Sequence, residues 1–230
     1  GRIAERHAAA TVLFVYVDGF DQVLAAHGAR RTVGWVNEVF CAIDGIVGGE
    51  EGGAVAKVES FNNFYMAVSF EVFDGDITHT EQALAAAAKI VRTVIHGVKR
   101  PDGSETTLKV GLNSGELCAG VIGVSSPRFS IFGNTVNVAS RMASNAVRCE
   151  KGKISLHLSP TCAQNLSYAR VEELGKEMDV NIRLEKRGDG MQIKGKGWMQ
   201  TWLVETSEDA SVTQSNTAMS EISSIEGSEV

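Results

Sequence analysis

The sequence is short of cysteine, proline and long apolar runs. Its 230 residues include three prolines and four cysteines, and the cysteines lie far apart without a CxxC pair. This spacing excludes a disulfide scaffold and gives no zinc cluster or redox motif, so a reducing, cytosolic setting is the simpler expectation. No apolar run approaches the roughly 20 residues of a membrane span. The charged N-terminal decapeptide also lacks the apolar core of a signal peptide.

An excess of basic residues is lacking too. The net charge is -6, and residues 206–230 carry five acids without any Lys or Arg, which leaves the first 205 residues at -1. We therefore expect no nucleic-acid partner and no direct membrane insertion, and any phosphate contact must be local. The chain begins with Gly1 rather than Met, which suggests a segment of a longer protein. We expect this segment to be cytoplasmic, with room for a membrane span elsewhere in the parent protein.

The residues that are present are typical of a soluble globular protein, with 43% hydrophobic residues and 24 glycines. The β-branched run Thr11–Val17 predicts a buried strand that ends in a turn at Asp18. Two short strands, Ala54–Ser60 and Phe64–Phe70, flank Asn62-Asn63 and predict a hairpin, because asparagine tolerates a left-handed backbone.

The other predicted elements continue this mixture of helices and strands. They are helices from Gln22, over Arg31–Ile46 and over Thr80–Val98 with Thr80 as its cap, a hairpin of Thr107–Asn113 and Glu116–Ile122 around Ser114-Gly115, an extended segment Ser130–Phe132, a helix Asn134–Ala146, a strand Lys153–Leu158, a short helix from Pro160, and paired extended segments Met191–Lys194 and Met199–Glu205. Their order predicts an α+β fold with helices packed on a mostly antiparallel sheet. We expect an N-terminal linker (1–10), one folded domain (11–205) and a disordered, acidic, serine-rich tail (206–230).

The strongest chemical signal is Arg128–Met142, RFSIFGNTVNVASRM, which runs from an extended segment into a helix. A glycine followed by a helix start that bears amide, hydroxyl and guanidinium groups can present donors to a phosphate. Asn137 and Arg141 are four residues apart and share one helix face. On spacing alone, the simpler interpretation is that Asn134 caps the helix and Arg141 pairs with a surface acid.

This segment resembles the signature of the class III adenylate and guanylate cyclase catalytic domains. VGLNSGELCAGVIG before it, KVESFNNFYMAVS (Lys57–Ser69) and IKGKGWMQTWLV (Ile193–Val204) extend the resemblance from about Ala10 to Glu205. The resemblance implies a ferredoxin-like fold and two domains associated head to tail, which convert a nucleoside triphosphate into a 3',5'-cyclic nucleotide and pyrophosphate. One domain of such a pair supplies two aspartates for divalent metals, and the other supplies the residues that contact base, ribose and phosphates.

The resemblance assigns the residues that contact ribose and phosphates. Asn137 matches the asparagine that orients the ribose, and Arg141 matches the arginine that stabilises the transition state. Lys194 or Lys196 in the IKGKG run matches the phosphate lysine, with a slight preference for Lys194. Without the resemblance, both lysines would be interpreted as solvated surface charges.

The resemblance also places two base-recognition residues. Glu59 falls at the purine-selecting position, which is glutamate in guanylate cyclases and lysine in adenylate cyclases. A carboxylate can accept hydrogen bonds from the guanine N1–H and 2-amino group, so GTP is expected in preference to ATP. Ser130 stands at the second base-contact position and departs from the cysteine and aspartate of the two groups. The alternative for Glu59 is an exposed strand residue without this role.

The metal-binding positions of the family are not kept. Tyr16 stands at the first metal aspartate and Asn63 at the second. Asp18 lies two residues after Tyr16, on the same strand face, and is a weak substitute or a turn cap. Mg²⁺ or Mn²⁺ prefers anionic oxygens, so we expect the metal to be held mainly by a partner domain and a homodimer to be inactive or very weak. The chain is then predicted to be the non-metal half of a cyclase dimer or, alternatively, a pseudo-cyclase that binds nucleotide or dimerises as a regulatory module.

Overall fold

The computed structural model describes residues 4–48, 55–70 and 77–206. Its main sheet has the strand order β2-β3-β1-β4-β6-β10-β7, with β5 paired to β4 beside this path and β8 paired to β9 apart from it. The strands are β1 (Ala4–Val17), β2 (Val55–Phe61), β3 (Phe64–Phe70), β4 (Leu108–Ile122), β5 (Arg128–Phe132), β6 (Ser155–Leu158), β7 (Ile182–Lys186), β8 (Met191–Ile193), β9 (Gly197–Met199) and β10 (Trp202–Thr206). The helices are α1 (Phe20–Val47), α2 (His79–Gly97), α3 (Asn134–Ser144), α4 (Pro160–Gln164) and α5 (Tyr168–Glu177).

The two faces of this sheet are covered by different helices. Alternate residues of β1 point to opposite faces, as the period of a strand requires. Leu13, Val15 and Val17 pack with α1, α2 and α5 in a helix-side core. Val12 and Phe14 pack with Ala139 and Ala143 of α3 in a smaller α3-side core. Apart from the parallel β4–β6 pair, the described strand pairs are antiparallel, which confirms the predicted α+β fold.

The N-terminal half follows the predicted elements with changes at their ends. α1 contains a non-helical Gly28 (φ 74°), so the two predicted helices are two parts of one kinked element. α2 begins at His79 because Thr78, not Thr80, is its cap. The Thr78 side chain accepts from the Glu81 backbone N–H, and the Glu81 carboxylate accepts from the Thr78 N–H. The predicted hairpin of β2 and β3 is confirmed, with Asn62 at φ 49° in its turn.

Two predictions about β1 and β4 are wrong. Residues 4–10 of the predicted linker belong to β1, because Ala4–His7 pairs with Leu117–Gly120 of β4. Ser114 and Gly115 do not form a turn, so the predicted hairpin is one continuous strand. They lie opposite Thr11 and Ala10 of β1, and the Ser114 and Thr11 hydroxyls are 2.7 Å apart in the interior.

The C-terminal third departs further from prediction. β8 pairs with β9, whereas β10 lies between β6 and β7 and pairs with both. The predicted pairing of residues 191–194 with 199–205 is therefore wrong, and α5 and β7 were not predicted. α3 ends at Ser144 rather than Ala146. Thr206 belongs to β10, and the rest of the predicted tail, 207–230, lies outside the described residues. Among the helices of the described segments, none has the length and apolarity needed to cross a membrane.

Candidate nucleotide site

α3 carries Asn137 and Arg141, the predicted ribose and transition-state residues, on its exposed face. The chain enters α3 through Gly133, whose φ of 140° suits glycine. The opposite face lies so close to β4 that a Cβ on Gly111 would be 2.0 Å from the Ala143 backbone nitrogen. Asn137 and Arg141 are exposed, and within the described residues neither side chain has a hydrogen bond or ion pair. The alternative that Arg141 pairs with a surface acid is therefore absent from this part of the chain.

The lysine-bearing hairpin of β8 and β9 packs along the side of α3. Ile193 is fully buried in a cluster with Val138 and Met142 of α3. Lys196, in the turn of the hairpin, donates from Nζ to the Asn134 Oδ1 at the first turn of α3. Asn134 is thus not the predicted cap, since Gly133 holds that position and makes no side-chain cap. Lys194 is exposed, and the described part of the chain provides no partner for its ammonium group.

The predicted base-recognition residues lie on β2 and β5. Glu59 is opposite Met66, a member of the α3-side core, and is exposed without a hydrogen bond or ion pair to any described residue. The pairing of β2 with β3 contains a register shift between Lys57 and Glu59. Ser130 is half-buried on β5, opposite Gly120 of β4.

β5 lies over the α3 side of the sheet, next to β2 and β3. Ile131 of β5 is in the α3-side core, and Val58 of β2 packs against the same cluster. The rings of Phe129 on β5 and Phe70 on β3 are 6.4 Å apart in an edge-to-face arrangement. The α3-side core therefore joins β2, β5 and α3, which carry the predicted base, ribose and transition-state residues.

The two residues at the positions that the resemblance assigns to metal aspartates are engaged in other contacts. The Tyr16 hydroxyl lies 3.2 Å from the Ser140 hydroxyl on α3, and the Asn63 side-chain amide donates to the Val17 carbonyl at 3.4 Å. Both residues line a cleft of about 270 Å³ at the end of β1. A phenol and an amide offer no anionic oxygen, so these donors do not fit a divalent metal ion.

Asp18 is bound by cations at the same end of the sheet. Its carboxylate is 2.8 Å from the Arg148 Nε and 3.7 Å from the Lys109 Nζ, and its side chain is only 14% exposed. Thr107 also donates a hydroxyl to it at 3.4 Å. Two neighbouring positive charges oppose the approach of a metal cation. The surroundings of Asp18 therefore do not support its role as a substitute metal ligand. Within the described segments no three His, Cys, Asp or Glu side chains cluster as metal ligands.

The end of α3 is bound by a buried histidine for which the sequence gives no motif. His157 on β6 donates from Nδ1–H to the Met142 carbonyl at 2.8 Å. Burial lowers the pKa of His157 to about 4, and the Arg187 guanidinium, 3.3 Å from Nε2, adds to the lowering. Lys109 and Arg148 were missed, because both are far from Asp18 along the chain and no local motif signals their pairing with it.

Comparison with known proteins finds similarity over most of the chain. A sequence model of the adenylate and guanylate cyclase catalytic domain matches residues 3–206. Soluble guanylate cyclase 89Da of Drosophila melanogaster is 36% identical over 200 residues, which cover 86% of this chain and 26% of that protein. Atrial natriuretic peptide receptor 2 of Homo sapiens is 32% identical over 203 residues, covering 87% and 18%. The chain thus spans about a quarter or less of the length of these relatives.

Solved structures show the same likeness. The guanylate cyclase domain of RhGC from Catenaria anguillulae, determined in complex with GTP, has a TM-score of 0.68 at 26% identity and covers 89% of this chain and 100% of that one. The adenylyl cyclase CyaB from P. aeruginosa has a TM-score of 0.66, covers 90% and 97%, and at 17% identity shows the fold alone. The predicted ferredoxin-like cyclase fold is thereby confirmed, and the chain belongs to the family of adenylate and guanylate cyclase catalytic domains.

Proposed function

We propose that this chain is the nucleotide-orienting half of a two-domain cyclase site, which converts GTP in preference to ATP into the 3',5'-cyclic monophosphate and pyrophosphate. One observation carries the proposal. Asn137 and Arg141 stand side by side on the exposed face of α3 without partners among the described residues, while Tyr16, at the position that the resemblance assigns to a metal aspartate, contacts Ser140. The chain would then act in cyclic nucleotide signalling, as a cytoplasmic segment of its parent protein.

Each exposed group has a distinct part in this proposal. The Asn137 amide hydrogen-bonds the ribose and holds its 3'-hydroxyl towards the α-phosphate. The Arg141 guanidinium neutralises the charge that develops as pyrophosphate leaves. Lys194 binds the phosphates, because its ammonium group is unpaired among the described residues whereas Lys196 is engaged by Asn134. Glu59 accepts from the guanine N1–H and 2-amino group.

The complementary half comes from a second cyclase domain. The donors at Tyr16, Asn63 and Asp18 do not fit Mg²⁺ or Mn²⁺, so we assign the metal to that partner. A pair of identical chains would have two sites that both lack metal carboxylates, and its activity would be absent or very weak. A heterodimer, with the partner in another chain or in another segment of the parent protein, would have one complete site.

A catalytically inactive pseudo-cyclase is the second candidate. It is favoured by the contacts that Tyr16 and Asp18, at and beside the assigned metal position, make with other side chains of the domain. Tyr16 bonds to Ser140, and Asp18 binds Arg148 and Lys109. In this case the chain would bind nucleotide or dimerise as a regulatory module, and Asn137 and Arg141 would have no role in turnover.

Restoring the carboxylates separates the two candidates. We would assay cyclic GMP and cyclic AMP formation by the unmodified chain and by a Tyr16→Asp/Asn63→Asp variant, each with Mg²⁺ and with Mn²⁺. We expect a silent unmodified chain and an active variant that prefers GTP. A single Tyr16→Asn variant is the matched control, because it also removes the ring and hydroxyl but supplies no carboxylate.

Three results would contradict the proposal in different ways. Turnover by the unmodified chain would refute the assignment of the metal to a partner. A folded, dimeric double variant that stays silent with both nucleotides would favour the pseudo-cyclase. An active double variant that keeps its rate after Asn137→Ala and Arg141→Ala would refute the roles given to α3.

A further inference from the structure

The pairing register of β2 with β3 places Lys57 and Glu59 on different faces, although their spacing in the sequence predicts a shared face. In a regular strand, residues two apart project from the same face. Lys57 and Glu59 would then share a face, and the lysine would neutralise the carboxylate. The structure separates them. Lys57 is opposite Ala67 of the helix-side core and binds Asp44 of α1 at 2.9 Å, whereas Glu59 is opposite Met66 of the α3-side core.

A β-bulge produces this separation. Lys57 pairs with Ala67 and Glu59 with Met66, so Val58 is an extra residue without a partner of its own in β3. Val58 packs against the α3-side core, and two consecutive residues of β2 therefore project to the same side. A bulge re-aims the side chains next to it, and a shift of one residue exchanges the faces of a strand.

We infer that the bulge at Val58 sets the purine preference, because it turns Glu59 to the side of the sheet that carries α3 and β5 and parts it from Lys57. This inference rests on the proposed function, in which Glu59 reads the base. The carboxylate has no cationic partner among the described residues, and the neighbouring β5 carries Ser130. Without the bulge, a regular β2 anchored at Lys57 would direct Glu59 towards α1.

Two single deletions test the inference as a matched pair. The Phe61–Phe64 pair closes the Asn62-Asn63 turn, so both deletions are expected to remove the bulge and leave a regular strand of equal length. Deletion of Val58 keeps Glu59 opposite Met66. Deletion of Ser60 moves Glu59 opposite Tyr65, on the helix side, two residues from Lys57 on the same face.

The readout is the ratio of the dissociation constants of ATP and GTP, measured by competition against a fluorescent nucleotide on the whole chain, with a thermal melt to show that each variant is folded. We expect the variant without Val58 to stay within about threefold of the unmodified ratio. We expect the variant without Ser60 to lose about tenfold or more, as Glu59→Gln does, because hydrogen bonds to a charged group are worth at least that factor.

A substitution variant guards against a deletion that fails to fold. The exchange Glu59→Ser/Ser60→Glu leaves the backbone register unchanged and moves the carboxylate to the residue opposite Tyr65. We expect it to lose the GTP preference to the same extent. If Glu59→Gln loses the preference, the base role of Glu59 stands. Retention of the preference by the exchange variant, or equal ratios for the two folded deletion variants, would then overturn the inference alone.

Failure of the proposed function has a different signature. If the unmodified chain binds GTP and ATP equally, or if Glu59→Gln leaves the ratio unchanged, Glu59 does not read the base. The base assignment then falls, and the present inference falls with it.

Discussion

Lowering the pH should reduce the free energy of unfolding, because it protonates His157, which binds the end of α3. The imidazole is fully buried and donates to the Met142 carbonyl, and its pKa falls from 6.5 to about 4 on folding. Between pH 6.5 and about pH 4, the unfolded chain therefore binds a proton at His157 that the folded chain does not bind. Stability is at its full value above pH 6.5 and is lost as the pH falls towards 4. From pH 7 to pH 5 the loss through this one group is about 2 kcal/mol.

Urea unfolding at pH 7 and pH 5 would measure this loss. Other groups also titrate in that range, so the quantity to compare is the pH-dependent change in the unmodified chain minus that in a His157→Gln variant, whose amide can still donate to Met142. His96→Gln, at an exposed position on α2, is the matched control and should keep the unmodified slope. If His157→Gln shows the same dependence on pH as the unmodified chain, the imidazole is not held neutral and the argument fails.

Three further predictions concern stability and metal. Gly111→Ala should lower the free energy of unfolding by about 1–3 kcal/mol or more, since its Cβ would meet backbone atoms of α3; a denaturant melt equal to that of the unmodified chain would contradict this close approach. Thr78→Ala should cost about 1 kcal/mol through loss of the α2 cap, whereas Thr93→Ala, in the exposed middle of α2, should cost less. EDTA should leave the melting temperature of the isolated chain unchanged, because the described residues form no metal cluster; a clear drop would indicate a structural metal.

The elements that sequence could predict are those with local signals. Three local patterns predict elements that the structure contains. They are the apolar run of β1, the Asn62-Asn63 turn and the helical spacing of α2. The adjacency of Asn137 and Arg141 follows directly from helical geometry. The roles proposed for them come from the family resemblance, because spacing alone assigns none.

The incorrect predictions concern segments whose pairing is determined by residues that are distant in the sequence. Ser114-Gly115 has the composition of a turn, but pairing with Thr11 and Ala10 of β1 keeps it extended. The place of β10 between β6 and β7 depends on strands far along the chain. Neither register could be read from a local pattern, because tertiary pairing overrides the local propensity of these residues.

The candidate site shows the same limit. The sequence has Tyr16 and Asn63 at the positions that the resemblance assigns to metal aspartates, but it does not reveal the contacts that these two residues make. Arg148 and Lys109 reach Asp18 only through the packing of β4 and the segment after α3. The bulge that turns Glu59 was also hidden, since nothing in the letters of KVESF marks Val58 as the extra residue.

The position of β10 between β6 and β7 also affects how the chain can be made. During synthesis β6 leaves the ribosome more than forty residues before β10, and β7 has no other strand in the described sheet to pair with. Until β10 emerges, the nascent chain carries an open sheet edge at β6 and an unpaired strand at β7. Such edges invite pairing with other chains. The sheet is therefore complete only after residues 202–206 have been made, and truncation before Trp202 should yield an aggregating product rather than a smaller folded one.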